Sequence, residues 1–319
     1  METSKYKNLL DKLKDINKTE LHAHLGGAVP MDFIQKYSTD KEYIEITNMI
    51  NKIRSGIDYS EGFKVFPLIS KVLNTTERIR EAAHDFCRKQ YNDKVSVSEL
   101  RTGLKKIGGK GFEEHLKAVL TGLESGMKDY NVKVPLVLSL RRDTSAEDAK
   151  EIVDLAIKYR QIGVLTGIDI SGESTKGDAS GIFEALKLAR DNGLPITLHI
   201  GEHSSETAEQ QMKELREIQP DRVGHAVHLC HEALLWVLEN RIVVEACIMS
   251  AWSVGMINKP GEHPALELFR KGHPVVFCTD DSTLFGDLSE ELALVACLCD
   301  LSIEQVIGMQ LQAINHLFS

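Results

Sequence analysis

The chain has 319 residues, 42% of them hydrophobic and 27% charged, which excludes a disordered protein and suits one large barrel or two ordinary domains. A net charge of -9 argues against a nucleic-acid partner, since a phosphate backbone needs a basic footprint, but a single nucleotide needs only a few local donors. No apolar run reaches the length of a membrane span, and the six scattered cysteines form no CxxC pair, so they read as reduced thiols of a cytoplasmic protein.

The N-terminal stretch METSKYKNLLDKLKD is charged and amphipathic, without the apolar core of a signal peptide. The first strand candidate follows, TELHAHL at 19–25. Residues i and i+2 of a strand point to the same side, so His22 and His24 aim both imidazoles at one place. Next comes a helical insertion, roughly residues 30–92. It contains YSEGFKVFPLISKVL, with Phe63, Phe66 and Leu68 at helical spacing. That segment reads first as a packing helix, and second as a lid over a pocket beside the first strand.

Seven more strand candidates succeed it: VSVSELR (95–101), VPLVLSL (134–140), VLTGIDI (164–170), PITLHI (195–200), DRVGHAV (221–227), RIVVEAC (241–247) and HPVVFCT (273–279). Amphipathic helices separate most of them, for example at 145–161 and 178–193. In the second of these, Asp178 is predicted to cap the N-terminus and Gly193 to take the left-handed position at the end. SEELALVACLCD and SIEQVIGMQLQAINHLFS read as closing helices. Strand–helix alternation predicts a parallel sheet wrapped by helices. Eight repeats closing on themselves make a TIM (β/α)8 barrel, and an open doubly wound sheet is the alternative. With no repeat, linker or low-complexity segment, residues 1–319 are expected to form one domain.

In such a barrel, working groups sit at the C-terminal ends of strands. Here those ends carry His22 and His24, Ser171-Gly172-Glu173, His199 with Glu202, His225, and Asp280-Asp281. A lone histidine there is usually a hydrogen-bonded structural residue, and an Asp-Asp pair is often a turn with a helix cap. Their joint placement points elsewhere. Closure sets Asp280 beside His22 and His24, and His199 reaches them across the mouth. Three imidazoles and a carboxylate suit a divalent metal with one position open for water, and zinc is the default. Glu202, His225 and Asp281 then read as acid–base or ligand-facing groups.

These motifs resemble those of the adenosine deaminase family of the amidohydrolase superfamily. HAHLGGA is similar to HxHLDG, GIDISGES to GxDLxGxE, LHIGEH to HAGE, RVGHAVHL to RVGHG, and FCTDDSTLFG to NTDDP. SELRTG and SLRRD are similar to the adenosine-deaminase-like branch, whose members act on N6-modified adenine nucleotides. The resemblance implies that His22, His24, His199 and Asp280 hold zinc. It implies that Glu202 donates a proton to purine N1 and that His225 orients and deprotonates the water. It further implies that Asp281 meets N7, that the Gly172 N–H meets N3, and that His24 and Gly26 face the substrate. The end of strand four lacks the lysine that a dinuclear relative would carbamylate, so one metal per chain is expected. The implied activity is hydrolytic deamination of a 6-aminopurine nucleoside, adenosine or 2′-deoxyadenosine, with AMP, N6-methyl-AMP or adenine as alternative substrates. Hydrolysis of an ester, lactone or amide, or a non-catalytic purine-binding barrel, are more distant alternatives. The partner expected is a small purine, with no nucleic acid, membrane or obligate protein partner.

Two departures from the family pattern bear on substrate. Gly26 stands where relatives carry an acidic or amide residue that contacts the sugar. Gly26-Gly27 reads as a tight turn or as a nest of N–H groups for an anion, with Arg101, Arg141 or Arg142 adding charge for a 5′-phosphate. ACIMSAWSVG replaces CPTSN, keeping Ser250 but placing Ala251 where relatives have Asn.

Overall fold

All eight apolar runs form strands, and they pair in parallel in chain order. The strands are β1 Lys18–His24, β2 Val95–Gly103, β3 Leu136–Arg141, β4 Leu165–Ser171, β5 Ile196–Ile200, β6 Arg222–His225, β7 Val243–Ala246 and β8 Val275–Phe277. The computed structural model describes residues 3–318; Met1, Glu2 and Ser319, at the ends of two predicted helical stretches, lie outside the described residues. Strands are buried on both faces because helices cover the outside and side chains fill the inside. The seam between β8 and β1 has no full ladder. Asp280 closes it, donating its N–H to the His22 carbonyl at 2.8 Å and accepting the His24 N–H at 2.9 Å. The result is a nearly closed (β/α)8 barrel of the TIM type.

β6 and β8 are shorter than predicted. His225, Ala226 and Asp280 adopt left-handed backbone, with φ of 63°, 54° and 63°, which extended pairing does not accommodate. Such residues store strain of about 1–3 kcal/mol each and are typical of functional sites.

Helix α1 (Thr3–Leu13) precedes the barrel. The insertion holds α2 (Leu25–Ala28), α3 (Met31–Tyr37), α4 (Asp40–Arg54), α5 (Tyr59–Gly62), α6 (Val65–Val72) and α7 (Thr76–Asn92). Thr39 and Glu42 form a capping box at the start of α4. Val65, Ile69 and Val72 of α6 are buried in the core, whereas Phe63 and Phe66 line a cavity at the barrel mouth. The segment therefore packs as predicted and also contributes to the cavity wall; Phe63, Phe66 and Leu68 all pack against the core. The crossover helices are α8 (Phe112–Tyr130), α9 (Ala146–Tyr159), α10 (Phe183–Asp191), α11 (Ala208–Ile218), α12 (His231–Glu239), α13 (Ile248–Ser253) and α14 (Pro264–Arg270). After β8 come α15 (Ser282–Phe285), α16 (Leu288–Cys299) and α17 (Ile303–Ala313).

One predicted cap is corrected. Asp178 accepts the Ser180 N–H at 2.9 Å ahead of a short 3-10 turn and caps no helix, while the α-helix itself starts at Phe183. Gly193 takes the left-handed position, φ +70°, as predicted. All six cysteines are unpaired. No helix among the described residues is long and apolar enough to cross a membrane.

Candidate active site

The alternation of β1 turns His22 and His24 to the same side, and the barrel does the rest. The Nε2 atoms of His22, His24 and His199 lie 3.1–3.2 Å from one another. Asp280 Oδ1 is 3.7 Å from His22 Nε2 and 3.5 Å from His24 Nε2. The four side chains form a largely buried tetrad that could hold a divalent metal. Burial pushes the His22 imidazole well below its ordinary pKa and that of His24 down to about 3, leaving neutral rings with free lone pairs. Burial also disfavours charge on His199, but the neighbouring Asp169 carboxylate outweighs it and draws that ring upward.

Behind the tetrad stands a set of charges inside the barrel. His22 Nδ1 lies 2.8 Å from Glu245 Oε2, and His199 Nδ1 lies 3.0 Å from Asp169 Oδ1. Arg101 bridges those two carboxylates, 3.1 Å from Asp169 and bonded to Glu245, and also donates to the Leu21 carbonyl. Arg222 meets Glu245 from the other side at 2.7 Å and is bonded to Glu99. Carboxylates on the outer nitrogens fix ring orientation and raise basicity. Glu245 and Asp169 were missed from the sequence, although each is a single acidic residue within an apolar strand, in RIVVEAC and GIDIS.

Glu202 and His225 face each other across the mouth, with Glu202 Oε1 3.6 Å from His225 Nε2. Glu202 Oε2 has no hydrogen-bond partner, and burial lifts the carboxyl to about 8. Asp281 opens α15 without capping it, and its buried Oδ1 is also unpartnered. Burial first, then the charge of Asp280, holds Asp281 well above the carboxylate range. The Ser250 hydroxyl donates to Asp280 Oδ2 at 2.7 Å.

These groups line a cavity of about 240 Å³, together with Gly26 and Gly172. Its apolar walls include Phe63, Phe66, Val254, Met256, Leu284 and Phe285. Gly172 takes φ +97°, a conformation that suits glycine. Lys105 and Arg141 are exposed and also line the cavity; Lys105 donates to the Ser70 hydroxyl at 2.8 Å, and Arg141 pairs with Asp143 at 2.9 Å.

Three sequence expectations are corrected here. Arg101 is fully buried and committed to Asp169 and Glu245. Arg142 is also buried, paired with Glu214 and donating to the His199 carbonyl. Neither is free for a phosphate; of the three arginines only Arg141 is exposed, and Lys105 was overlooked. Gly26 and Gly27 sit in the one-turn helix α2 and not in a non-helical tight turn. Gly27 is there for closeness: a Cβ on it would fall 1.7 Å from Asp281 Oδ1. A Cβ on Gly26 would meet open space.

The sequence model of the adenosine deaminase family matches residues 17–319. The chain belongs to that family. It is a hydrolase of the amidohydrolase superfamily, acting on C–N bonds in purine metabolism through a metal-binding site. Among curated relatives it is 31% identical over 344 residues to the N6-mAMP deaminase of Arabidopsis thaliana, covering 97% of this chain and 94% of that one. It is 30% identical over 315 residues to N6-Methyl-AMP deaminase-L of Xenopus laevis, covering 96% and 90%. Among solved structures, arabidopsis ADAL complexed with IMP superposes with a TM-score of 0.87 at 28% identity, covering 97% of this chain and 94% of that one.

Proposed function

We propose that this family member deaminates 6-aminopurine nucleoside 5′-monophosphates, AMP and N6-methyl-AMP foremost, in preference to the free nucleoside suggested by the motifs alone. The observation that carries this reading is a pair of exposed cations, Lys105 and Arg141, in the wall of the cavity that His24, His199 and Asp280 also line; a phosphate would share Arg141 with Asp143, 2.9 Å away. Gly26 supports it, because no carboxylate stands there to repel a phosphate. The relatives named as N6-methyl-AMP deaminases, and the related chain solved with the 6-oxopurine nucleotide IMP, support it as well.

The tetrad fits zinc: three imidazoles converge through Nε2, His22 and His24 held neutral by burial, and carboxylates face Nδ1 of His22 and His199. His22, His24, His199 and Asp280 would hold one ion. Zinc bound there supplies a Lewis acid that brings the pKa of water to about 7. His225 would orient the attacking water and take its proton. Glu202, kept protonated by burial, gives a proton to N1 of the purine, which makes C6 electrophilic. Asp281, also favoured in its protonated form, donates to the N7 lone pair, and the Gly172 N–H meets N3. Water adds at C6, the proton held by His225 passes to the departing nitrogen, the C6–N bond breaks to release ammonia or methylamine, and the C6 hydroxyl returns its proton to Glu202 to leave a 6-oxopurine. The apolar walls exclude competing solvent. The described residues act as one barrel domain, and the unpaired cysteines agree with a cytoplasmic setting.

The test is amine release from AMP, N6-methyl-AMP, adenosine, 2′-deoxyadenosine and adenine by the zinc-loaded enzyme. The nucleotides should have the higher kcat/KM. Combined Lys105→Ala and Arg141→Ala should cut that preference by about 10- to 100-fold, the value of charge-assisted hydrogen bonds. Equal or better turnover of adenosine would overturn the nucleotide reading.

A further inference from the structure

The turn after β5 is held from behind by one carboxylate. Buried Glu206 accepts three consecutive backbone N–H groups: Gly201 at 2.7 Å through Oε2, then Glu202 at 2.8 Å and His203 at 3.1 Å through Oε1. Three amides on one carboxylate take up most of its acceptor capacity. The turn needs such support, because Gly201 is left-handed at φ +67° and the backbone reverses tightly there. Glu202 sits in the middle of this cradle. Its own head group has no comparable anchor: Oε2 is unpartnered, and Oε1 is 3.6 Å from His225. The direction of the Glu202 side chain is therefore set by the backbone that Glu206 holds.

We propose that Glu206 is a positioning residue for the reaction, fixing the 201–203 turn so that the Glu202 carboxyl points at the substrate ring. This rests on the reading of Glu202 as proton donor. Placement at this level is worth much, since a misplacement of about 1 Å can cost about 100-fold in rate. The charge of Glu206 acts in the same direction. His199, His225, Arg142, Asp280 and Tyr59 surround Glu202, while Arg142, Glu214, Tyr59 and His228 face Glu206. Among them Glu206 adds to burial in favouring the protonated acid.

The test uses the full-length, zinc-loaded chain with AMP and N6-methyl-AMP, and compares wild type, E206Q, E202Q and the double variant. Glutamine offers one acceptor oxygen and turns an NH2 toward the remaining amides. E206Q should lower kcat by about 10- to 100-fold with zinc content and KM little changed. Its kcat/KM should decline at lower pH on the alkaline side, because a negative charge has gone. In the E202Q background, E206Q should cost nothing more, since both act through one proton transfer. A purely structural role would not produce that non-additivity. Wild-type kcat in E206Q, loss of zinc, or losses that multiply in the double variant would each overturn the proposal. If E206Q does not fold, E206D, which keeps the charge and shortens the reach, undergoes the same cycle against E202Q. Wild-type turnover in E202Q alone would instead remove the acid assignment itself.

Discussion

Glu202 and Asp281 share one physical circumstance: each is a buried carboxyl with an oxygen that no protein group satisfies. Leaving such groups unpaired costs free energy, so their persistence is itself a sign of a ligand to come. For Glu202 the expected outcome of Glu202→Gln is retained zinc and turnover reduced by roughly 100- to 10,000-fold, read by metal analysis and amine release. The sign of its pH dependence follows from the raised value. The protonated form does the work, so kcat/KM should be lost as pH rises. The alkaline limb should fall between the ordinary 4.5 and about 8, because a cation in the tetrad draws the value back down. For Asp281 the two substitutions should differ. Asp281→Asn keeps an N–H donor for N7 and should exceed Asp281→Ala in kcat/KM by about 10-fold. At this scale the sequence was informative about the tetrad, Glu202, His225 and Asp281, because each punctuates the end of an apolar strand. It was silent on Glu206, which lies in the polar run EHSSETAEQ. Nothing in its residue type separates it from a solvated glutamate until the turn folds back onto it.

The elements follow from periodicity, but their joints do not. The buried stripe of α7, with Ile79, Ala82, Ala83, Phe86 and Cys87, is legible as 3- and 4-residue spacing. How closely α8 approaches it is decided in space. A Cβ on Gly122 would lie 2.1 Å from the Arg80 carbonyl oxygen and 2.8 Å from Ala83 Cβ. Gly122→Ala should therefore destabilise the protein by about 1–3 kcal/mol, despite the better helix propensity of alanine. Denaturant unfolding would show this as a lowered midpoint with an unchanged slope. The metal tetrad lies elsewhere, in the barrel mouth, so kcat at low temperature should be little affected. The premature ends of β6 and β8 have the same origin. Val and Phe favour extended backbone up to the last residue, and the strain at His225 and Asp280 is imposed by what those residues must face.

For the whole barrel, the interior is held by a charge cluster as well as by apolar layers. Arg101 is fully buried between Asp169 and Glu245. Arg101→Met would leave buried Asp169 without its arginine and Glu245 with Arg222 alone, at a cost of about 3–5 kcal/mol, which a thermal or urea melt would register. Because those carboxylates also hold His199 and His22, the variant should bind zinc more weakly. With the proposed zinc in the tetrad, its removal by a chelator should abolish turnover and lower Tm. At a hundredfold excess of zinc over its Kd the ion stabilises the fold by about 2.7 kcal/mol, and adding zinc back should restore both.

The sequence by itself determined the eight strands, their parallel order and the polar residues at their ends, because alternation, helical spacing and apolar length are local properties of a chain. Only the tertiary structure decided which charges are buried and which stay at the surface. Arg101 and Arg142 look like phosphate ligands until closure buries them against Asp169, Glu245 and Glu214, whereas Lys105 and Arg141 stay at the open mouth. The reason is physical: a charge is assigned by its neighbours in space, and a barrel brings neighbours from strands far apart in the chain.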